Sequence, residues 1–337
     1  MNRIFLLAMI VILSVSCRDH HTYIPARFPE IPVNMDTFNT VYDDYNSALP
    51  FIGEDVPFCF STNRYSKGGQ FDLAYYVLNM WYDWETGAFY IGPDKAYQWA
   101  NYETLTVLAS AMPVINTSFN EFGPYIISWD NFTGAWQDNN RFLFFYANDS
   151  AGNLDIKFTQ NIDRADKFVT PVSAKVFNSG ADDAYPTYCF KSNELFFCSN
   201  REGKFHIYKI AVQNRSDILN VLLGNTGAEP VKDTTLSSEY NDKFPYTTYD
   251  VMVFASDRPG GYGGYDLYYS VRSDSAWSTP ENMGPAVNTE YDECRPVLIS
   301  PGAFLNDMVV FSSNRPGGKG GFDLYYVGIP RHGSVFH

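Results

Sequence analysis

Residues 113–128 read PVINTSFNEFGPYIIS, and residues 285–300 read PAVNTEYDECRPVLIS. The two stretches share a proline, an Asn-Thr pair, an aromatic residue, Asn or Asp, a glutamate, a second proline and a final Ile-Ser at the same positions. A repeat at a spacing above about twenty residues is typical of solenoids, arrays and propellers. The repeated phrase therefore indicates a repeat architecture, and function is to be sought where the copies differ.

A second phrase follows the first in each repeat. It is clearest as FSTNRYSKGGQFDLAYY from Phe60, FASDRPGGYGGYDLYYS from Phe254 and FSSNRPGGKGGFDLYYV from Phe311, with weaker copies from Phe145 and Phe197. Each copy consists of an apolar run, a polar corner, a loop that is usually glycine-rich and a second alternating run. This order is typical of a β-hairpin, so the chain contains five such hairpins.

An acidic residue starts each repeat, and in four repeats a proline follows three positions later. We call these residues the repeat acids; they are Asp44, Glu121, Asp183, Asp242 and Glu293. Their spacings are 77, 62, 59 and 51 residues, whereas a blade needs about 40 to 45. The longest interval exceeds the shortest by 77 − 51 = 26 residues, which is too few for another complete blade.

The pattern predicts an all-β fold, a single β-propeller of four-stranded antiparallel blades, with five blades favoured and six as the alternative. The abundance of Tyr (25) and Phe (27) agrees with a β fold. The last repeat lacks an outer strand, and the segment 28–32 is predicted to supply it and close the ring. The domain is expected at 28–337, with an aromatic-rich insertion at about 79–112.

The phrases WSTPENMGPAVNTEYDECRP from Trp277 and FSSNRPGGKGGFDLYYV from Phe311 are similar to WD40-like (PD40) β-propeller repeats of TolB-type proteins, particularly those of Bacteroidetes-type envelope proteins. The resemblance is strong over residues 236–327 and absent from 79–112. It implies a propeller, and it does not imply an activity.

The N-terminus has the layout of a secretory signal. A basic start is followed by an apolar run from Ile4 to Leu13, and small residues then precede Cys17. This resembles a bacterial lipoprotein signal over residues 1–16, with Cys17 as the lipidated residue and 17–27 as a linker. Ser14 departs from the usual pattern, and an ordinary cleaved signal is the alternative. The resemblance and Arg18 predict an outer membrane lipoprotein, on its periplasmic or its surface face.

A formal net charge of −14 argues against a nucleic-acid partner, because phosphate would be repelled. Four cysteines remain after Cys17. Cys189 and Cys198 flank a turn, so either a disulfide or two buried free thiols would fit.

An arginine and an aspartate recur eight residues apart in three hairpins, as Arg64 and Asp72, Arg258 and Asp266, and Arg315 and Asp323. A charge-assisted pair across the loop would fix the loop's shape. Cation or phosphate binding is the alternative, with calcium as the candidate cation because the loops resemble calcium-binding repeats. No other metal or cofactor is predicted.

The repeat acids precede the innermost strands, so they could ring one end of the central channel. Five-bladed propellers include glycoside hydrolases, whose chemistry needs two carboxylates in different environments. A residue that occurs in every blade has similar surroundings each time, which favours a structural role. The sequence also lacks the GxSxG, HExxH and CxxC patterns.

Aromatic residues cluster where the repeat is interrupted. The candidate ligand-binding residues are Trp81, Trp84, Tyr90, Trp99, Trp129 and Trp136. Such rings can stack on sugars or grip a peptide, or they can pack the insertion against the blades. We predict a lipid-anchored, non-catalytic module that binds an envelope protein or a glycan. The alternative is a glycan-active enzyme that uses the channel carboxylates.

Overall fold

The strands form five antiparallel sheets arranged as the blades of a propeller. The computed structural model describes residues 24–49, 55–83, 85–93, 102–129, 132, 140–163, 166–302 and 304–333. Cys17, Trp84, Trp99 and Trp136 lie outside the described residues. No helix in the described ranges is long and apolar enough to cross a membrane.

Each blade runs from an innermost strand at the channel to an outer strand. Blade 1 contains β2 (Asp44–Ala48), β3 (Asp55–Thr62), β4 (Asp72–Tyr82) and β5 (Phe89–Pro93). Blade 2 contains β6 (Glu121–Ser128), β7 (Phe142–Asn148), β8 (Asp155–Gln160) and β9 (Val172–Ser173). Blade 3 contains β10 (Asp183–Cys189), β11 (Glu194–Ser199), β12 (His206–Ala211) and β13 (Val231–Lys232).

Blade 4 has a split outer strand, and blade 5 is completed from the N-terminus. Blade 4 contains β14 (Asp242–Thr247), β15 (Val251–Ser256), β16 (Asp266–Ser273), β17 (Ala276–Trp277) and β18 (Glu281–Asn282). Blade 5 contains β19 (Glu293–Ile299), β20 (Asp307–Ser313), β21 (Asp323–Ile329) and β1 (Val33–Asn34). Five blades and closure by an N-terminal strand confirm the predicted fold.

The ring-closing strand lies directly after the predicted segment 28–32. Val33 pairs with Tyr326 and Asn34 with Tyr325, antiparallel. Pro29 and Pro32 have no backbone N–H and cannot donate to a ladder, which explains the shift. Pro29 instead accepts a hydrogen bond from the N–H of Gly328, at 2.6 Å.

The propeller also begins earlier than predicted. Ala26, within the predicted linker 17–27, is fully buried and forms a parallel bridge with Phe304. The N–H of Phe28 donates to Oδ1 of Asn306, at 2.9 Å. The end of the predicted linker is therefore part of the packed domain.

The inner strands are covered on both faces because neighbouring blades pack face to face. All seven residues of β10, of β19 and of β20 are buried, including polar ones. The core consists of apolar clusters between blades, such as the one that joins Phe145, Tyr188 and Phe197 of blades 2 and 3. Apolar burial of this kind is non-directional, so it does not by itself fix how two blades align.

The predicted insertion at 79–112 is largely part of the fold. Its first residues complete β4, and β5 is the outer strand of blade 1. Helices α1 (Tyr102–Ala109) and α2 (Met112–Ile115) then connect blade 1 to blade 2. Leu108 and Ile115 are fully buried in a cluster with Phe142 and Phe144. A second helical connection, the 3-10 turn Arg215–Asp217 and α3 (Ile218–Leu222), lies in blade 3.

Cys189 and Cys198 form no disulfide. Both are buried free thiols, as are Cys59 and Cys294. Cys189 packs in one apolar cluster, with Phe196 and Leu236, and Cys198 packs in another. The turn between β10 and β11 therefore does not bring the two sulfur atoms together, and the free-thiol alternative is correct.

A set of hydrogen bonds joins each blade to the preceding blade, and we call it the blade latch. At ring closure, the N–H of Phe322 donates to Oδ1 of Asp43 (2.8 Å), and the N–H of Asp44 donates to the carbonyl of Phe322 (2.8 Å). Asn39 accepts from the N–H of Leu324 and donates to its carbonyl, both at 2.9 Å. In the repeated phrase, Asn39 fills the position of the asparagine of the Asn-Thr pair, Asp43 fills the Asn-or-Asp position, and Asp44 is the repeat acid.

The same latch occurs at the other four junctions. The residue before each repeat acid accepts from a backbone N–H of the preceding blade; these residues are Asn120, Asp182, Asn241 and Asp292. The asparagine role is filled by Asn116, Asn178, Asn288 and, in blade 4, Ser237. The repeated phrase is therefore the connection between blades.

The glycine-rich loop permits the close approach that the latch requires. A Cβ atom on Gly320 would lie 1.9 Å from the carbonyl oxygen of Tyr42 in the next blade. A Cβ on Gly263 would lie 2.1 Å from the carbonyl oxygen of Tyr291. Only glycine allows backbone to approach backbone at this distance.

Substituting Asn39→Ala should lower the free energy of unfolding by about 1–3 kcal/mol, because it leaves the buried backbone N–H of Leu324 unpaired, while the carbonyl of Leu324 keeps its hydrogen bond from the N–H of Met35. Asp36→Ala is a matched control from the same segment, since it removes only a surface ion pair with Lys319 and should cost less than about 1 kcal/mol. Denaturant unfolding of both variants measures the difference. Equal effects would contradict a ring held by the latch.

Candidate functional site

The five repeat acids are buried within the blades and do not line an open cleft. All five have 0 % exposed surface. Asp44 accepts hydrogen bonds from the N–H and the hydroxyl of Thr40, at 2.6 and 2.8 Å. A hydroxyl four residues earlier serves each of the other acids in the same way; these residues are Thr117, Ser179, Ser238 and Thr289. The geometry gives these carboxylates a structural role.

The hairpin arginines pair with the repeat acids, so the predicted Arg–Asp pairs across the glycine loop are wrong. Arg64 Nη2 lies 2.6 Å from Oδ1 of Asp44, and Arg315 Nη2 lies 2.9 Å from Oε1 of Glu293. Arg258 and Arg201 pair with Asp242 and Asp183 in the same way. A buried carboxylate needs a counter-charge, and the arginine at the hairpin corner supplies it.

The hairpin aspartates hold their loops through backbone amides. Asp266 accepts from the N–H groups of Tyr262 (2.6 Å) and Gly263 (3.0 Å), and Asp323 accepts similarly from Lys319 (2.5 Å). Asp72 accepts only a longer bond, from Nε2 of Gln70 at 3.3 Å. No group of three or more His, Cys, Asp or Glu side chains in the described ranges could hold a metal ion.

Blade 2 departs from this arrangement because Ser150 occupies the position of the arginine. Glu121 Oε1 accepts from Thr117 Oγ1 (2.6 Å) and Asn148 Nδ2 (2.8 Å), and its Oε2 has no hydrogen-bond partner in the described chain. Burial raises the pKa of Glu121 to about 7. Burial also raises the pKa of Glu293, but there the positive charge of Arg315 acts in the opposite direction.

Substituting Glu121→Gln should stabilise the protein at pH 8 by about 1–3 kcal/mol, because glutamine mimics the protonated acid. The folded-state pKa of about 7 lies above the usual value of 4.5. The folded protein binds this proton more tightly than the unfolded chain does. The resulting stabilisation is therefore fully present below pH 4.5 and is lost as the pH rises through 7. The advantage of the variant should shrink towards pH 5.

Glu293→Gln is the matched control, because it removes the partner of Arg315 and should destabilise the protein at pH 8 by about 1–3 kcal/mol. Unfolding of both variants and the wild type at pH 5 and pH 8 checks the two signs. A destabilised Glu121→Gln variant at pH 8 would contradict the raised pKa of Glu121.

The channel is closed at its centre by side chains from the innermost strands. The third residue of each innermost strand has a positive φ: Asn46, Gly123, Tyr185, Phe244 and Arg295. Arg295 donates to the carbonyls of Pro124 in blade 2 (2.9 Å) and Pro245 in blade 4 (3.3 Å). Arg295 belongs to blade 5, and blades 5 and 2 are not neighbours in the ring. Its guanidinium must therefore lie across the channel axis to reach Pro124.

A ring of partly exposed residues surrounds the channel at the end where the innermost strands begin, and we call it the mouth collar. It consists of the partly exposed residues that follow a repeat acid or precede the hairpin aspartate position: Tyr45, Phe71, Phe122, Leu154, Phe205, Lys243, Tyr265 and Phe322. Tyr45 connects three blades, since its ring centroid lies 5.1 Å from Phe71, 6.0 Å from Phe122 and 5.8 Å from Phe322.

Lys243 adds a positive charge to the mouth collar. Its Nζ lies 4.3 Å from the ring centroid of Phe205 and 5.8 Å from that of Tyr265. The collar is thus aromatic on the side of blades 5, 1 and 2 and cationic at blade 4. The combination offers apolar ring faces and a charged hydrogen-bond donor, the ammonium group of Lys243, to a ligand at the mouth.

Sequence reasoning missed the mouth collar, although a signal was present. The position before the hairpin aspartate is aromatic in four of the five repeats, and the position after the repeat acid is aromatic in two; alignment of the five repeats displays this. Their assembly around one axis, however, depends on ring closure. Arg295 gave no signal, because it occurs in only one repeat.

The aromatic residues predicted from the insertion divide into two groups. Trp81 and Tyr90 are cross-strand partners on β4 and β5, with ring centroids 4.2 Å apart, and both are nearly half exposed. Trp129 packs against the core of blades 2 and 3, 5.8 Å from Phe132. The structure therefore leaves Trp81 and Tyr90 available to a ligand on the outer edge of blade 1.

Comparison with solved structures identifies similar folds. A thermostable family-43 glycoside hydrolase matches with a TM-score of 0.51 and 12% identity, covering 87% of this chain and 91% of that chain. An exo-beta-1,3-galactanase from Phanerochaete chrysosporium matches with a TM-score of 0.50 and 10% identity, covering 88% and 64%. No protein-family model and no curated protein matches the sequence. At this identity the likeness shows the five-bladed fold alone.

Proposed function

We propose that this propeller binds a glycan at the mouth collar and does not hydrolyse it with its repeat acids. The carrying observation is the ring of partly exposed aromatic side chains around the channel mouth. Aromatic faces stack on the apolar faces of sugar rings. The similar fold of the family-43 glycoside hydrolase supports a carbohydrate ligand at such a scaffold. All five repeat acids are buried and four of them are paired with an arginine, which supports binding without catalysis.

Two features suit the collar to a sugar. Its rings come from several blades, so they are fixed by the latch and lose little freedom when a ligand binds. Lys243 can donate to hydroxyl or carboxylate oxygens of the ligand while its neighbours contact the ring face. Trp81 and Tyr90 lie on the outer strands and provide a separate surface.

Substituting Phe122→Leu together with Tyr45→Leu should weaken glycan binding about five- to tenfold, because the apolar volume stays while the flat ring faces are lost. Binding to a panel of polysaccharides, including β-1,3-galactan and xylan, is measured by affinity electrophoresis and calorimetry. Tyr65→Leu is the matched control, since Tyr65 is exposed and lies outside the collar.

Two results would contradict the proposal. One is a wild-type protein that binds no member of the panel but binds an envelope protein, which favours the protein-binding alternative. The other is equal loss of affinity in the collar variant and in Tyr65→Leu. Loss only after Trp81→Ala would place the glycan on the outer edge of blade 1.

Glycan hydrolysis is the second candidate function. Its specific support is Glu121, which has no arginine partner and is half protonated near neutral pH, as a general acid requires. Hydrolysis would require Glu121 to become exposed. If this function holds, reducing sugar is released from the bound polysaccharide and Glu121→Gln lowers kcat/KM at least about a hundredfold. If the Glu121→Gln variant releases reducing sugar at the same rate as the wild type, Glu121 takes no part in hydrolysis.

We propose in addition that the protein is attached to the outer membrane by a lipid on Cys17. The support is the sequence of the first seventeen residues alone. Cys17→Ser should move the full-length protein from the membrane fraction to the soluble fraction. Incorporation of labelled palmitate in the wild type is the second readout, and its absence would favour an ordinary cleaved signal.

A further inference from the structure

The charge of Arg295 has no counter-charge in the channel. The side chain is the largest of the fully buried ones in the described ranges. No carboxylate there forms an ion pair with it, whereas the hairpin arginines of blades 1, 3, 4 and 5 each have one. The electrostatic neighbours of its guanidinium include Tyr185, Tyr246 and Cys198.

These neighbours do not supply a negative charge. Burial raises the pKa of Tyr185, Tyr246 and Cys198, so all three are neutral at physiological pH. Burial also lowers the pKa of Arg295 to about 10, which still leaves it charged. The channel therefore contains a net positive charge away from water.

Hydrogen-bond donors in the channel are also unused. A guanidinium has five N–H groups, and the carbonyls of Pro124 and Pro245 accept from two of its nitrogens. Arg295 Nε has no hydrogen-bond partner in the described chain, and neither the amide nitrogen nor the amide oxygen of Asn46 has one within hydrogen-bonding distance and angle. The Asn46 side chain lies beside Tyr45 and Tyr185; burial raises the pKa values of both tyrosines, and Asn46 lowers them slightly against that effect. Asn46 is fully buried at the equivalent position of the neighbouring blade 1.

We propose that the centre of the channel binds one small inorganic anion of the chloride class, held by Arg295 and Asn46. A buried guanidinium without a counter-ion is costly, and an anion at this position neutralises it. The same ion would accept from the unpartnered Nε–H and amide N–H groups. Because the donors come from blades 5 and 1, binding of the ion would reinforce the ring at its closing junction.

The test compares the thermal unfolding of the full chain in sodium chloride and in sodium gluconate at equal ionic strength. Equal ionic strength screens surface charges equally, so a difference reports specific binding. We expect chloride to raise the Tm by about 3–8 °C when it exceeds its Kd a hundredfold. Arg295→Met should remove this difference. Lys243→Met, at the mouth, is the matched control and should retain it.

Equal Tm values of the wild type in the two salts would overturn the proposal. A chloride effect that persists in Arg295→Met would also overturn it and would place the ion elsewhere. If Arg295→Met does not fold, crystals of the wild type grown with bromide decide the question. An anomalous peak beside Arg295 Nε supports the site, and its absence, or a water molecule only, refutes it.

Discussion

The blade latch is the interaction on which the rest of the structure depends. Apolar burial holds the blades together but does not define how one blade is oriented on the next. The latch does so, because each junction combines one backbone–backbone hydrogen bond, from the N–H of the repeat acid, with hydrogen bonds between side chains of one blade and backbone groups of the preceding blade. The bond between Asp44 and Phe322 closes the ring in the same manner as every other junction. One repeated phrase thus determines both the repeat and its closure.

Each latch lies beside a buried repeat acid, and the arrangement of counter-charges follows from that burial. In blades 1, 3, 4 and 5 an arginine at the hairpin corner neutralises the repeat acid. In blade 2, Ser150 replaces it, and the pKa of Glu121 rises to about 7 as a result of burial. In blade 5, Arg295 adds a positive charge on the axis. The repeat is therefore electrostatically regular except at two places.

Functional surfaces lie where regular positions carry variable side chains. The residue after a repeat acid is Tyr45, Phe122, Ala184, Lys243 or Cys294, although the acid before it serves the same purpose in each blade. The backbone there is fixed by the latch, while the side chain faces the channel mouth. A rigid scaffold that presents different side chains around one axis is suited to ligand recognition.

Sequence alone predicts four-stranded blades, with five favoured over six, the closure by an N-terminal strand and the recurring positions of the acids and arginines. It does so because the hydrophobic pattern and the turn residues act locally and repeat. The Arg–Asp pairs predicted across the hairpin loops are wrong, because spacing along the chain does not reveal that Arg64 turns back to Asp44. Three features depend on the tertiary structure: which charged residues pair, the contact of Arg295 in blade 5 with blade 2, and the arrangement of the collar residues around one mouth of the channel. Those contacts join residues far apart in sequence, and they exist only once the ring has closed.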